Sequence, residues 1–271
     1  MKDKKMLKLK SILRDMGSAV IAFSGGSDST LLLRVSLDIL GKDKVLAVTA
    51  VSESFPRREY EDAILLAKRL GARHIRILTG ELQDPRFLKN LADRCYYCKK
   101  ALYKKLLKIA QKKGFAYVAD GFNFDDKNDM RYGNLAAKEL GVRSPLAEAK
   151  IGKRGIRTFS RRLELPTWNK PSFACLVSRL PYFKTITKEK LKKVEKAEDY
   201  LYGAGLRQAR VRLHDDMARI EVWDKDIGRI LKKRKEIARK FKGLGFTYVA
   251  LDLEGYRTGS LNEVLPKGLT K

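Results

Sequence analysis

Ala19-Val20-Ile21-Ala22-Phe23-Ser24-Gly25-Gly26-Ser27-Asp28-Ser29-Thr30 starts as an apolar strand and turns through two glycines. It then enters Leu31-Leu32-Leu33-Arg34-Val35, which reads as a helix. A strand that ends in a glycine-rich turn and opens a helix aims several backbone N–H groups at one point, where the helix dipole adds positive charge. The glycines let an anion approach the backbone closely, and Ser24, Ser29 and Thr30 add hydroxyl donors. Asp28 would repel a bare phosphate, so a Mg²⁺ shared with the phosphates is expected beside it. An ordinary turn with Ser27 or Asp28 as helix cap needs only one such side chain. The Gly-Lys-Ser/Thr ending of a Walker A loop and the G-x-G-x-x-G pattern are both missing.

Working outward, strands and helices alternate. Residues 18–23 are strand one and 28–40 a helix stopped by Gly41. Strand two covers 45–50, and a helix from Pro56 stops before Gly71. Strand three is 74–78, a helix covers 98–113 before Gly114, and strand four is 117–119. Strands separated by helical segments predict a parallel sheet, with its ligand at the carboxyl ends of the strands, where residues 24–30 lie. A polar loop, 121–134, follows strand four. A proline-containing loop, 165–181, closes this part. Beyond it the order is helix (188–203), hairpin (208–213 and 218–223), helix (227–242) and strand (246–251), which suggests a smaller α+β domain. The fold class is therefore α/β, divided into residues 1–180 and 181–271.

The 271 residues carry 59 Lys and Arg against 32 Asp and Glu, a formal net charge of +27. Such a field attracts polyanions, nucleic acid first among them. A solvated basic surface, suited to a hot or salty cell interior, accounts for the dispersed lysine pairs equally well. No apolar run approaches the ~20 residues of a membrane span. The start, Met-Lys-Asp-Lys-Lys, lacks the apolar core of a signal peptide, so a cytoplasmic protein is expected.

Three cysteines are present. Cys95-Tyr96-Tyr97-Cys98 is a C-x-x-C at a helix start, and Cys175 lies far along the chain in the proline-containing loop. An odd number in a cytoplasmic chain argues against a disulfide set. Zinc wants four ligands, and His74 and His214 stand at no useful spacing. A redox pair and chance buried cysteines remain open readings. Three thiolates also suit a [4Fe–4S] cluster with one iron left for an exogenous ligand such as sulfide.

The glycine-rich turn resembles the SGGxDS signature of the PP-loop ATP pyrophosphatases, which split ATP between the α and β phosphates. The order is Ser24-Gly-Gly-Ser-Asp-Ser-Thr30, Cys95-Tyr-Tyr-Cys-Lys-Lys100, Asp120-Gly121, Asn128-Asp129-x-Arg131, Ser172-Phe-Ala-Cys175, Arg210-Val-Arg212 and Ala218-Arg-Ile-Glu221. Taken together it resembles the LarE family almost end to end. That family makes pyridinium-3,5-bisthiocarboxylic acid mononucleotide for the nickel-pincer nucleotide cofactor of lactate racemase. The resemblance implies adenylylation of a pyridinium carboxylate by ATP and Mg²⁺, release of pyrophosphate, and insertion of sulfur. One family type sacrifices the sulfur of a single cysteine matching Cys175. The other binds a [4Fe–4S] cluster through cysteines matching Cys95, Cys98 and Cys175, the pattern found here, and is catalytic.

By the same resemblance, Ser24, Gly25, Gly26, Asp28, Ser29 and Thr30 hold the pyrophosphate of ATP, with Asp28 on Mg²⁺. Ala22 and Val48 flank the nucleotide, and Asp120, Gly121 and Arg131 face the phosphates. Arg179, Arg210, Arg212 and Arg257 are implied for the phosphate of the substrate nucleotide, and Glu198 and Glu221 for an acidic metal site. Arg229 stands where that site would have a further acid, which puts it in doubt. Two guanidiniums on one face of a strand, Arg210 and Arg212, suit a phosphate dianion; a basic exposed strand face is the plainer alternative. Implied partners are a small nucleotide, a sulfide or persulfide donor and further copies of the chain in a homo-oligomer. A PP-loop tRNA thiolase with a [4Fe–4S] cluster is the rival enzyme, and a non-catalytic iron–sulfur carrier the rival outside enzymes.

Overall fold

The computed structural model describes residues 2–128, 132–171 and 173–265, and the chain forms two compact units. The first comprises residues up to Glu81 and Asp93–Phe173. The second comprises Leu82–Ala92 and the chain from Ala174.

The first unit holds a four-stranded parallel sheet in the order β3-β2-β1-β4, made of β1 (Ala19–Ala22), β2 (Val45–Val51), β3 (Arg73–Leu78) and β4 (Tyr117–Ala119). Its central strands are short apolar runs because helices cover both faces. Ala19 and Ile21 face a cluster with Leu9 and Leu13 of α1 (Lys2–Met16), Leu31 to Leu33 of α2 (Ser27–Leu40) and Ile156 of α8 (Lys153–Arg162). Val20, Leu46 and Val48 face Tyr103, Leu106 and Ala110 of α5 (Arg94–Lys113) and Ala136 of α6 (Tyr132–Glu139). α3 (Arg57–Arg69) joins β2 to β3, and α7 (Pro145–Glu148) is a single turn before α8. β3 lies at the sheet edge, where Arg73, His74 and Arg76 alternate with half-covered isoleucines.

The sheet confirms the α/β expectation, and its strands fall within a few residues of their expected positions. α1 has no counterpart in the sequence reading. Its buried Leu9, Leu13 and Met16 recur at helical spacing within a lysine-rich run.

In the second unit, α4 (Pro85–Leu88) precedes α9 (Lys188–Gly203), whose N-terminus is capped by the Thr187 hydroxyl. β5 (Ala209–His214) and β6 (Met217–Val222) form the expected antiparallel hairpin, with Asp215 at φ 50° in its turn. β7 (Tyr248–Leu251) adds in parallel to β6. The single helix expected at 227–242 is two, α10 (Asp224–Lys232) and α11 (Arg234–Gly243), broken at Lys233. The Arg234 guanidinium donates to the carbonyl of Leu231, satisfying a group released at the end of α10. Among the described residues no helix is long and apolar enough to cross a membrane.

Candidate functional site

β1 lies between β2 and β4, with Ala22 beside Val48 of β2 and Ile21 beside Ala119 of β4, so the loops leaving β1 and β4 lie side by side at the carboxyl end of the sheet. Phe23 extends the ladder by donating its N–H to the carbonyl of Val48. The chain then turns at Gly25, φ 70°, where an added Cβ would lie 2.9 Å from Cβ of Ala63 on α3. Gly121 is equally restricted. A Cβ there would lie 2.9 Å from the backbone nitrogen of Ser29. Both glycines thus permit a backbone approach that any side chain would block.

Gly26 is the N-cap of α2, and no side chain caps that helix. Its first N–H groups remain oriented toward the turn, where they would meet an anion. The Ser24 and Ser29 hydroxyls lie 3.1 Å apart, and the Ser29 hydroxyl accepts from the Ser24 N–H. Thr30 is fully buried, and its Oγ1 has no partner among the described residues.

Asp28 is neutralised in a way the sequence did not reveal. Its Oδ2 accepts from Nδ2 of Asn123, at 3.1 Å, and from the Lys153 ammonium. Oδ1 accepts from the Ser27 hydroxyl at 3.0 Å. Lys153 opens α8, and its backbone N–H donates to Asp125. Asn123 is held from the other side by Asp126. Asn123 lay within the polar loop noted above, whereas nothing in the sequence around Lys153 singled it out.

Asp120 is buried, and its carboxylate is fully engaged. It accepts from the Tyr103 hydroxyl at 2.5 Å, the Ser144 hydroxyl at 2.8 Å and the N–H of Phe122 at 3.1 Å. Burial first, then the Asp120 charge, drives the Tyr103 pKa well above its ordinary value, so the phenol stays a donor. Asp120 therefore shapes the bend that brings Gly121 to the anion turn. Arg131 lies outside the described residues.

The base of the turn is tied to the sheet edge through one hydroxyl. Thr49 donates to the carbonyl of Phe23 and accepts from His74 Nε2, both at 2.8 Å. Burial, then the nearby Arg76 charge, lowers the His74 pKa below its ordinary 6.5. A depressed histidine pKa means that the unfolded chain binds the extra proton first. Stability is therefore complete above about pH 6.5 and falls as pH drops below it. The His214 pKa is lowered as well, by burial and then by Arg219, and adds to the same slope. We expect His74→Gln to flatten part of the stability loss between about pH 7 and 5.5 in urea titrations. An unchanged slope would remove His74 from this role.

Cys95 and Cys98 sit i and i+3 at the N-terminal end of α5, on one side of the helix, with Cys95 exposed and Cys98 partly so. No side chain caps this helix, so its dipole favours thiolates there. The turn is anchored to α6 by Tyr96 and Lys100, both bonded to Glu139 at 2.6 Å. Cys175 belongs to the other unit, immediately before the 3₁₀ turn Leu176–Arg179. Within neither unit do three His, Cys, Asp or Glu side chains gather as a metal-ligand set among the described residues. Cys95 and Cys98 place two soft thiol donors, of the type an iron–sulfur cluster takes, at one helix N-terminus.

Most of the basic and acidic residues singled out in the second unit are paired with one another. Arg179 and Glu198 form a two-pronged ion pair at 2.8 and 2.9 Å, and Arg212 and Glu221 another at 2.9 and 2.8 Å. All four are buried. Burial disfavours the Arg179 charge, but Glu198 outweighs it and holds the guanidinium above its usual pKa. Burial likewise opposes the Glu198 charge, and Arg179 and Arg210 hold its pKa below the usual carboxylate value. Arg210 is buried against Tyr202 and the ring of Tyr256. Burial, then repulsion from Arg179, lowers its pKa. Arg257 pairs with Glu254 and Glu263. Arg229, where a third acid was looked for, donates to the carbonyl of Gly205.

The NAD synthase family profile matches residues 3–85, the stretch that carries the turn. Over 98% of its length the chain is 44% identical to all of the uncharacterized protein slr1717 of Synechocystis. Over 97% of its length it is 41% identical to 95% of the pyridinium-3,5-bisthiocarboxylic acid mononucleotide synthase of Lactiplantibacillus plantarum. Over 94% it is 34% identical to 98% of the uncharacterized protein MJ0830 of Methanocaldococcus jannaschii. With a near full-length match of that closeness and an uncapped, doubly glycine-lined turn on a parallel sheet, the chain belongs to the LarE family of PP-loop proteins.

Proposed function

We propose that this protein is an ATP-dependent sulfurtransferase. It adenylylates a carboxylate of a pyridinium biscarboxylic acid mononucleotide and replaces the activated oxygen with sulfur. The observation that carries this reading is the 41% identity, over 97% of the chain, to a synthase of that bisthiocarboxylic product, joined to the anion turn. A carboxylate is a poor acyl donor because its leaving group would be oxide. A carboxylate oxygen attacks the α-phosphorus of ATP, the bond to the β-phosphate oxygen breaks, and pyrophosphate leaves. The α2 N–H groups, the Ser24 and Ser29 hydroxyls and the Lys153 ammonium receive it. Asp28 would hold Mg²⁺, whose charge offsets that of the phosphates. Sulfide then attacks the acyl carbon, and AMP departs with the carboxylate oxygen.

Cys95, Cys98 and Cys175 would hold a [4Fe–4S] cluster, which when bound supplies nucleophilic sulfide. Of the arginines implied for the substrate phosphate, Arg210 keeps that role here, while Arg179, Arg212 and Arg257 each hold a carboxylate in this structure and would have to exchange it for the phosphate. The formal charge of +27 favours one second reading, thiolation of tRNA.

Anaerobic reconstitution with iron and sulfide, then assay with ATP and the biscarboxylate nucleotide, tests the proposal. Pyrophosphate release with more than two sulfur atoms delivered per chain is the expected result. Delivery capped at one, with Cys175 converted to dehydroalanine, overturns the cluster route. Transfer to tRNA alone, in a salt-sensitive complex, overturns the substrate.

A further inference from the structure

Two ion pairs of the same design stand under the Cys175 loop. In the first, the Glu198 carboxylate takes Nε and Nη2 of Arg179 at 2.8 and 2.9 Å. That leaves Nη1 on the far edge of the guanidinium, where it donates to the carbonyl of Ala174 at 2.7 Å. It also donates to the carbonyl of Cys175 and the Ser178 hydroxyl, both at 2.9 Å. The Ser178 hydroxyl in turn donates to the Cys175 carbonyl at 2.8 Å. In the second pair, Glu221 takes Nε and Nη2 of Arg212, and Nη1 donates to the carbonyl of Ser178. Nη2 of Arg212 also reaches the Ser260 hydroxyl at 3.0 Å. Arg179 and Glu221 are 0% exposed.

We propose that Arg179–Glu198 and Arg212–Glu221 form a paired guanidinium clamp that fixes the backbone of residues 174–178 and so presents the Cys175 thiol to the iron–sulfur cluster it would help to hold. The proposal rests on the sulfurtransferase reading for its function, though the clamp itself rests on geometry. Stability alone does not require such pairs: burying two charges costs several kcal/mol per ion, and apolar side chains of similar volume often serve as well. A rigid planar fork does what an apolar pair cannot. One edge is oriented by a carboxylate while the opposite edge captures consecutive carbonyls at fixed angles. The loop has little other regular structure, only the four-residue 3₁₀ turn that follows Cys175. Cys175 itself is only partly buried although its carbonyl is bonded twice, so the backbone is held and the side chain remains approachable. Arg179, Arg212, Glu198 and Glu221 are thereby positioning residues that act through Cys175. Reaction geometry makes this matter, since a thiolate that holds the cluster would also set where its sulfide lies, and attack at an acyl carbon needs that sulfide within ~3–3.5 Å.

Lysine separates the two properties. Arg179→Lys keeps the charge beside Glu198, but one ammonium cannot also hold two carbonyls and a hydroxyl. In the iron-free protein, iodoacetamide labelling resolved by peptide mass spectrometry should then run at least tenfold faster at Cys175. Cys95 and Cys98, in the other unit, serve as the internal reference. In reconstituted enzyme, thiolated product formed per pyrophosphate released should fall about tenfold. A folded Arg179→Lys protein whose Cys175 labels within twofold of wild type overturns the clamp. If that variant does not fold, Arg212→Lys, which leaves the Arg179 fork in place, is read by the same two outcomes. If neither folds, the pairs are structural and the proposal fails. A wild-type protein that releases no pyrophosphate would overturn the sulfurtransferase reading and leave the labelling result to decide the clamp alone.

Discussion

Asp28→Asn should lower ATP-dependent pyrophosphate release by roughly a thousandfold, the several kcal/mol typical of charge stabilisation by a catalytic metal. The substitution is nearly isosteric, so the turn itself should survive. It removes the one carboxylate at the mouth of α2 and turns an acceptor into a donor facing Asn123 and Lys153, which are themselves donors. The released ammonium would then compete for phosphate, so nucleotide affinity should fall far less than turnover. Pyrophosphate release measured beside ATP binding by calorimetry separates the two. Turnover within tenfold of wild type would show that Asp28 holds no metal in the reaction.

Arg179→Met should produce the largest loss of stability. Glu198 would remain buried and lose its counter-charge, which typically costs about 3–5 kcal/mol. In a protein of this size that lowers Tm by roughly 10 °C. Arg179→Met combined with Glu198→Gln should recover most of it. Glutamine carries no charge and still offers an oxygen to the Val211 N–H, which donates to Glu198 at 3.0 Å. Calorimetry of the single and double variants decides this. A double variant no more stable than the single one would mean that the single loss does not come from an uncompensated charge. The rescued protein also lacks the fork on Ala174 and Cys175, so recovered stability with fast Cys175 labelling would separate folding from positioning.

The anion turn was legible because its signals are local: a strand, two glycines and a helix in twelve residues. Only glycine tolerates φ 70° at position 25 and the approach of position 121 to Ser29. The parallel sheet followed from the alternation of strands and helices, whereas its strand order came only with the fold. Lys153 and Asn123 were not legible as partners of Asp28, because 125 and 95 residues separate them and neither carries a local pattern. Arg210-Val-Arg212 displays charge without displaying what answers it. Glu221 lies opposite Arg210 in the hairpin register yet bonds to Arg212 and Arg219. The sequence suggested a dianion for both arginines; the fold supplies Arg212 with a carboxylate of its own. Helix α1 was missed for a different reason. Its apolar positions are interspersed with six lysine and arginine residues, and only its packing on α2 shows their period.

The short stretch 82–92 sits with the second unit although the chain on both sides of it belongs to the first. Asn90 donates to the carbonyl of Pro181 and accepts from the N–H of Phe183, and the carbonyl of Leu88 accepts from Ile186. During synthesis Asn90 leaves the ribosome 91 residues ahead of Pro181, its partner in the segment that completes this strip. A gene cut after residue 173 would strand residues 82–92 on the wrong fragment, leaving the fragment that carries Cys175 without the strip that stitches its entry loop. The two halves are thus a single folding unit in heredity, even though each has its own core.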